Sequence, residues 1–187
     1  MTTRLEIRQL LAQGRHALSS GRVKDVVPLI HAQPKLAQHL VEFLFDEDLG
    51  TSQRAADVLE RVSHNPSPAL YRVLAAQLVS LLRLLPEARP KKVRWNLALI
   101  LGRLPLTVPE CRRAAQVLQT WFDDSSSIVK TAALQGLADL TRQDPSLLPM
   151  VEDLLRIHSR SGTAAMRARG RILLKALEGR RPGKDAD

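Results

Sequence analysis

The chain has 187 residues, 44% of them hydrophobic but only 3% aromatic, so leucine, alanine and valine must build its core. That composition favours helix on helix, because alanine and leucine lead the helix scale whereas strands prefer β-branched and aromatic residues. A single cysteine excludes an internal disulfide, no apolar run nears the roughly 18 residues of a membrane span, and the net charge of +9 invites an anionic partner. The opening MTTRLEIRQLLAQGRH lacks the unbroken apolar core of a signal peptide. A cytoplasmic protein without a membrane partner is therefore expected.

The elements follow in order. Leu5, Ile7, Leu10, Leu11, Gly14 and Leu18 trace one helical face, ended by Ser19-Ser20-Gly21. Val23, Val26, Val27 and Ile30 mark a second, shorter helix, in which Pro28 is expected to cause a kink or a restart. Pro34 opens a third, with Leu36, Leu40, Val41 and Leu44 pointing inward. The turn Asp46-Glu47-Asp48-Leu49-Gly50 leads to a fourth, carrying Thr51, Ala55, Val58, Leu59 and Val62 and stopped by His64-Asn65-Pro66-Ser67-Pro68. One long apolar helix is predicted over 69–85, and Pro86 to Pro90 breaks it. Val93, Leu97, Ile100, Leu101 and Leu104 continue the pattern, and Thr107 caps a helix bearing Cys111, Ala115, Leu118 and Phe122. Helices over 126–140 and 147–158 precede a last one with Met166, Gly170, Leu173, Leu174 and Leu177. Gly179 ends it, and residues 179–187 read as a disordered basic tail.

No period-two alternation is sustained anywhere. Ten helices make five antiparallel pairs, expected as one domain over residues 1–178, with residues 1–33 as an N-terminal cap pair. The later pairs repeat a grammar. Val93-Arg94 with Leu101 matches Val129-Lys130 with Leu137 and Met166-Arg167 with Leu174, and Thr51-Ser52 with Leu59 matches loosely. Thr51, Val93, Val129 and Met166 stand 42, 36 and 37 residues apart. Such periods mark a solenoid, in which no unit buries its apolar face without neighbours.

Three stretches then carry a resemblance. LVEFLFDEDLGTSQRAADVL holds an Asp turn and Ala55-Ala56, VRWNLALIL opens on Val93-Arg94, and residues 123–137 combine Asp, Val-Lys and Ala-Ala. Over residues 34–177 the chain resembles the HEAT-repeat family. The resemblance implies an all-α, right-handed solenoid of hairpins whose second helices line a concave surface. Pro90 and Thr163 replace the turn Asp before Arg94 and Arg167, and Thr51-Ser52 lacks the basic residue, which makes the first and last of these units candidates for end caps.

Catalytic chemistry finds no foothold. His16, His31, His39, His64 and His158 are scattered, with no i,i+4 pair, and Cys111 lies on an apolar stripe, so no metal and no cofactor are expected. Asp46-Glu47-Asp48 with Asp57 fails as a calcium loop, since Thr51 stands where the loop glycine belongs. No phosphate loop, G-x-S-x-G or H-E-x-x-H occurs.

Two binding features remain. Arg94, Lys130 and Arg167 share one position in successive units, either as a basic ladder or as partners of turn carboxylates such as Asp48 and Asp124. Arg167 also belongs to a cluster with Arg169, Arg171 and Lys175, in a C-terminal stretch (156–187) holding nine Lys and Arg against three Asp and Glu. Trp95, beside Arg94, is a candidate interface anchor. The expected function is a non-catalytic scaffold that holds a protein partner on its second-helix surface. The alternative partner is nucleic acid, gripped along its phosphates by the basic face and the last helix, as the HEAT-like alkylpurine DNA glycosylases imply for this fold.

Overall fold

Leucine, valine and alanine at spacings of three and four residues, punctuated by Pro, Gly and Asp turns, wind into helices and nothing else among the described residues. The structure is a computed structural model that describes residues 2–179 apart from 87 and 89. All but Gly179 of the expected tail therefore lies outside the described residues.

Helices α1 (Arg4–Ala12) and α2 (Val23–Ala32) form the first pair. A 3-10 turn at Pro34–Leu36 enters α3 (Ala37–Phe43), which pairs with α4 (Leu49–Val62). Helices α5 (Pro68–Ala76) and α6 (Leu78–Leu84) precede α7 (Lys91–Leu101). Helix α8 (Val108–Thr120) runs through a 3-10 turn at Trp121–Asp123 into α9 (Ser127–Leu140), and α10 (Leu148–Ser161) pairs with α11 (Ala164–Glu178).

Local chemistry sets the starts. Thr3 and Glu6 cap α1 reciprocally, as Thr107 and Glu110 cap α8, while Asp48 accepts from the Thr51 amide at 2.7 Å to open α4. Thr163 does the same for α11 through the Met166 amide.

Three expectations are corrected. The first helix ends at Ala12, because the α4 side chain Arg54 takes its last carbonyls; Leu5 and Leu18 are exposed, and Ile7 and Leu11 supply the inward face. Pro28 does not restart the helix but rides within a continuous α2 on an exposed position. The helix predicted over 69–85 is two, divided at Gln77, whose backbone (φ −94°, ψ 0°) leaves the helical region.

Helices α2, α4, α7, α9 and α11 pack one on the next in that order, so the second member of each pair joins a continuous layer. Val93, Val129 and Met166 are all buried along this layer, as are Leu101 and Leu137. Each buried leucine contributes about 1.5–3 kcal/mol relative to exposure. The α7–α9 seam is closed by glycines from both sides. A Cβ on Gly136 would lie 2.5 Å from the Ala98 carbonyl oxygen, and one on Gly102 would lie 2.4 Å from the Asp139 Cβ. The chain thus folds as a repeat solenoid of helical hairpins.

Candidate binding surface

Each second helix divides into three strips, and the α9 strips are the clearest. Ala132 and Gly136 face back to α7; Leu134 and Ala138, both buried, face forward to α11; Ile128, Thr131, Gln135 and Asp139 keep contact with solvent. The offsets of 36 and 37 residues carry these strips to the neighbours. The solvent strip is Trp95 and Leu99 on α7 and Ala168 and Ile172 on α11; the forward strip is Ala98 and Gly102 on α7 and Arg171 and Lys175 on α11.

The solvent-facing layer does not extend to α4. Thr51 through Ala56 are all buried, under a segment that Arg54 draws across them. The Arg54 guanidinium donates to the carbonyls of Leu11, Ala12, His16 and Ser19, and Lys92 of α7 donates to Leu18 at 3.2 Å. The same Lys92 pairs with Asp57 at 2.6 Å, and Asn96 donates to Asp57 at 3.0 Å. Buried charge is tolerated here because every member is hydrogen-bonded. The open face is therefore that of α7, α9 and α11.

The predicted site residues separate accordingly. Arg94 turns forward to Asp124, in the turn ahead of α9, at 2.7 Å, and donates to the Ala88 carbonyl at 3.2 Å. It is a strut between units. Lys130 also faces forward: its charge, after burial, holds the His158 imidazole below its usual range, and His158 stacks on Phe122 with centroids 4.5 Å apart. Arg167 donates to the Gly162 carbonyl at 2.7 Å, capping the end of α10, and remains exposed. Arg169, Arg171 and Lys175 are exposed and form no ion pair among the described residues. Trp95 is half-buried and packs on the core with one side. The ladder is thus not a uniform row: Arg94 is tied to Asp124, Lys130 lies near His158, and among the three positions the cation of α11, Arg167, is the exposed one.

Sequence reasoning missed Arg54, the Lys92–Asp57–Asn96 network, and Arg103, which closes the end of α4 through the Glu60 carbonyl and carboxylate. The available signal was a charged residue inside a run that is otherwise buried, at Arg54 and Lys92 alike. The Cys111 thiol is buried and pushed up by burial, with Asp144 and Glu110 adding to the shift, so it is no nucleophile at neutral pH. Beside this face, an open cleft of about 250 Å³ is lined by Phe45, Leu49, Leu84, Pro90 and Val93. No helix among the described residues is long and apolar enough to cross a membrane.

No family model and no curated protein matches the chain. Solved structures do. Two engineered proteins from the Northeast Structural Genomics Consortium align over 94% and 93% of this chain and 79% and 80% of theirs, with TM-scores of 0.61 and 0.63 at 15% and 18% identity. The archaeal HEAT-like repeats protein from Thermococcus onnurineus NA1 aligns over 91% of this chain and 63% of its own, with a TM-score of 0.62 at 16% identity. Identities this low speak for the fold alone, and the fold is a HEAT-like repeat solenoid.

Proposed function

We propose that this HEAT-like solenoid is a non-catalytic scaffold that holds a protein partner on the solvent strips of α7, α9 and α11. One observation carries the reading. Half-buried Trp95 and Leu99 share the solvent-facing strips with Ile128 and Ile172, which are 54% and 58% exposed, and Leu99 and Ile172 hold the same register position. A line of aromatic and aliphatic side chains across three packed helices offers a partner apolar area that water solvates poorly. Trp95 is the anchor, because a rigid indole fixed by core packing loses little entropy when its outer edge is covered.

The test uses the intact chain. Partners are trapped by photo-crosslinking from position 131, identified, purified and titrated by calorimetry against the wild type, Trp95→Ala and Ile128→Asp. Each substitution is expected to weaken binding about tenfold or more, as hot-spot truncations do. Ile128 is exposed, so its variant keeps the wild-type melting temperature. Unchanged affinity in both variants would overturn the assignment.

A further inference from the structure

Among the described residues the forward strip of α11 meets no further helix, and its chemistry departs from the strips it repeats. On α7 that strip is Ala98 and Gly102, and a Cβ on Gly102 would already collide with Asp139 of α9. On α9 it is buried Leu134 and Ala138, against α11. On α11 the same two positions are Arg171 and Lys175, continued by Arg167 one turn earlier, where Arg94 and Lys130 point forward in their own units. The strip that elsewhere receives the next second helix is therefore a row of cations four residues apart, which places them about 6 Å from one another along the axis.

These cations are not compensated. Arg167, Arg171 and Lys175 form no ion pair among the described residues, nor does Arg160 on the adjoining α10. Arg156 of α10, by contrast, is matched by Glu152 and Asp153 at 2.8 and 2.7 Å. Two of the most exposed aliphatic side chains of the protein, Ile157 on α10 and Ile172 on α11, stand on the same two helices, at 55% and 58% exposure.

We infer that this flank docks an acidic amphipathic helix of a partner protein, in the place a further second helix would occupy. Carboxylates at i and i+4 on such a helix repeat at about the same 6 Å as the cations. Its aliphatic residues cover Ile157 and Ile172, and this separates a protein from a phosphate backbone, which gains nothing from apolar neighbours. A second copy of this chain is a poor fit, because the carboxylates at the opposite end are already engaged: Glu42, Asp46 and Asp25 pair with Arg4, Arg8 and Arg22. A regular apolar hairpin is also excluded, since it would strip water from Arg171 and Lys175 without returning a charge partner. The inference rests on the solenoid register; it shares Ile172 with the Trp95 surface but does not use Trp95, Leu99 or Ile128.

The probe is a fluorescein-labelled acidic amphipathic helical peptide, with glutamates at i,i+4 and leucines beside them. Its controls are the Glu→Gln peptide, a Glu-matched peptide with serine for leucine, and a duplex DNA of similar length. Anisotropy is read at about 50 and about 200 mM salt, because exposed charge pairs are screened over about 10 Å at 0.1 M. The acidic peptide is expected to bind best. Binding should weaken about tenfold or more with the Glu→Gln peptide and with the double variant Arg171→Glu/Lys175→Glu, and by several-fold with Ile172→Ser or the serine peptide. Trp95→Ala should stay within about twofold, which keeps the two surfaces distinguishable. All the substituted flank residues are exposed, and circular dichroism checks that each variant is folded. Absence of peptide binding at the lower salt would overturn the inference. So would indifference to the charge reversal, or tighter binding of duplex DNA than of the peptide.

Discussion

Arg54→Met tests how the first pair is held to the stack. The Arg54 side chain is 2% exposed and has no carboxylate in its hydrogen-bonding shell; its acceptors are four backbone carbonyls. Those of Leu11 and Ala12 are the last of α1, which has no following turn to bond them and presents the negative end of the helix dipole. The cage is tight. A Cβ on Gly14 or Gly50 would lie 2.5 or 2.2 Å from a guanidinium nitrogen, and Gly21 adopts φ 47°, which only glycine takes readily. Two firm bonds from a charged donor contribute about 1.5–3 kcal/mol each, and the bonds to His16 and Ser19, at 3.3 and 3.4 Å, add little. Loss of the guanidinium, discounted for water entering the loop, should cost about 3–5 kcal/mol of a margin of about 5–15. For a chain of this size that lowers the melting temperature by about 6–20 °C. Arg54→Lys, with its charge kept but the fork gone, should fall between. Hydrogen exchange should quicken over residues 4–32 well before residues 148–178. A melting temperature within about 2 °C of wild type, or exchange that quickens evenly along the chain, would refute the argument.

Leu137→Ala removes a side chain from the buried α9 face and should cost about 2–5 kcal/mol, whereas Arg169→Ala on exposed α11 should leave urea unfolding within about 0.5 kcal/mol. Equal effects would undo the inward and outward assignment. His158, held below its usual range by burial and then by Lys130, stays neutral in the folded chain under conditions that protonate the unfolded one. Its folded pKa is the lower of the two, so the stability it contributes is fully present above about pH 6.5 and declines as pH falls below that value. Proton NMR should place its titration below about 6.5, and Lys130→Ala should move it upward; no movement would mean that Lys130 does not face α10.

The solenoid was legible because its evidence is repeated. Apolar spacing of three and four recurs at offsets near 36 residues, and Val93, Val129 and Met166 occupy matching buried places as that spacing implies. Breaks set by tertiary contact were not legible. Gln77 divides α5 from α6 with neither glycine nor proline to announce it, and α1 stops where a side chain 42 residues away claims its carbonyls. The site shows the same limit. Spacing put Arg94, Lys130 and Arg167 at one helical position, correctly, but spacing is blind to what lies opposite. Asp124 is opposite Arg94, the His158 ring lies within the field of Lys130, and Arg167 donates to Gly162 at the turn of its own hairpin.

One backward-facing position shows why a repeat specifies architecture before it specifies role. Arg54, Asn96, Ala132 and Arg169 are equivalent in α4, α7, α9 and α11. Arg54 meets the frayed end of α1 and becomes a buried clamp; Asn96 meets Asp57 and joins a charged network; Ala132 meets α7 and simply packs. Arg169 forms no ion pair among the described residues and stays in water. The helix delivers each side chain to the same place, and the neighbour then decides whether its charge is cancelled, shared or left available. By that logic the functional cations of such a stack are those whose neighbour offers no carboxylate or carbonyl. Among the residues at the forward position of their units, Arg171 and Lys175 of α11 meet that condition, and Arg94 does not.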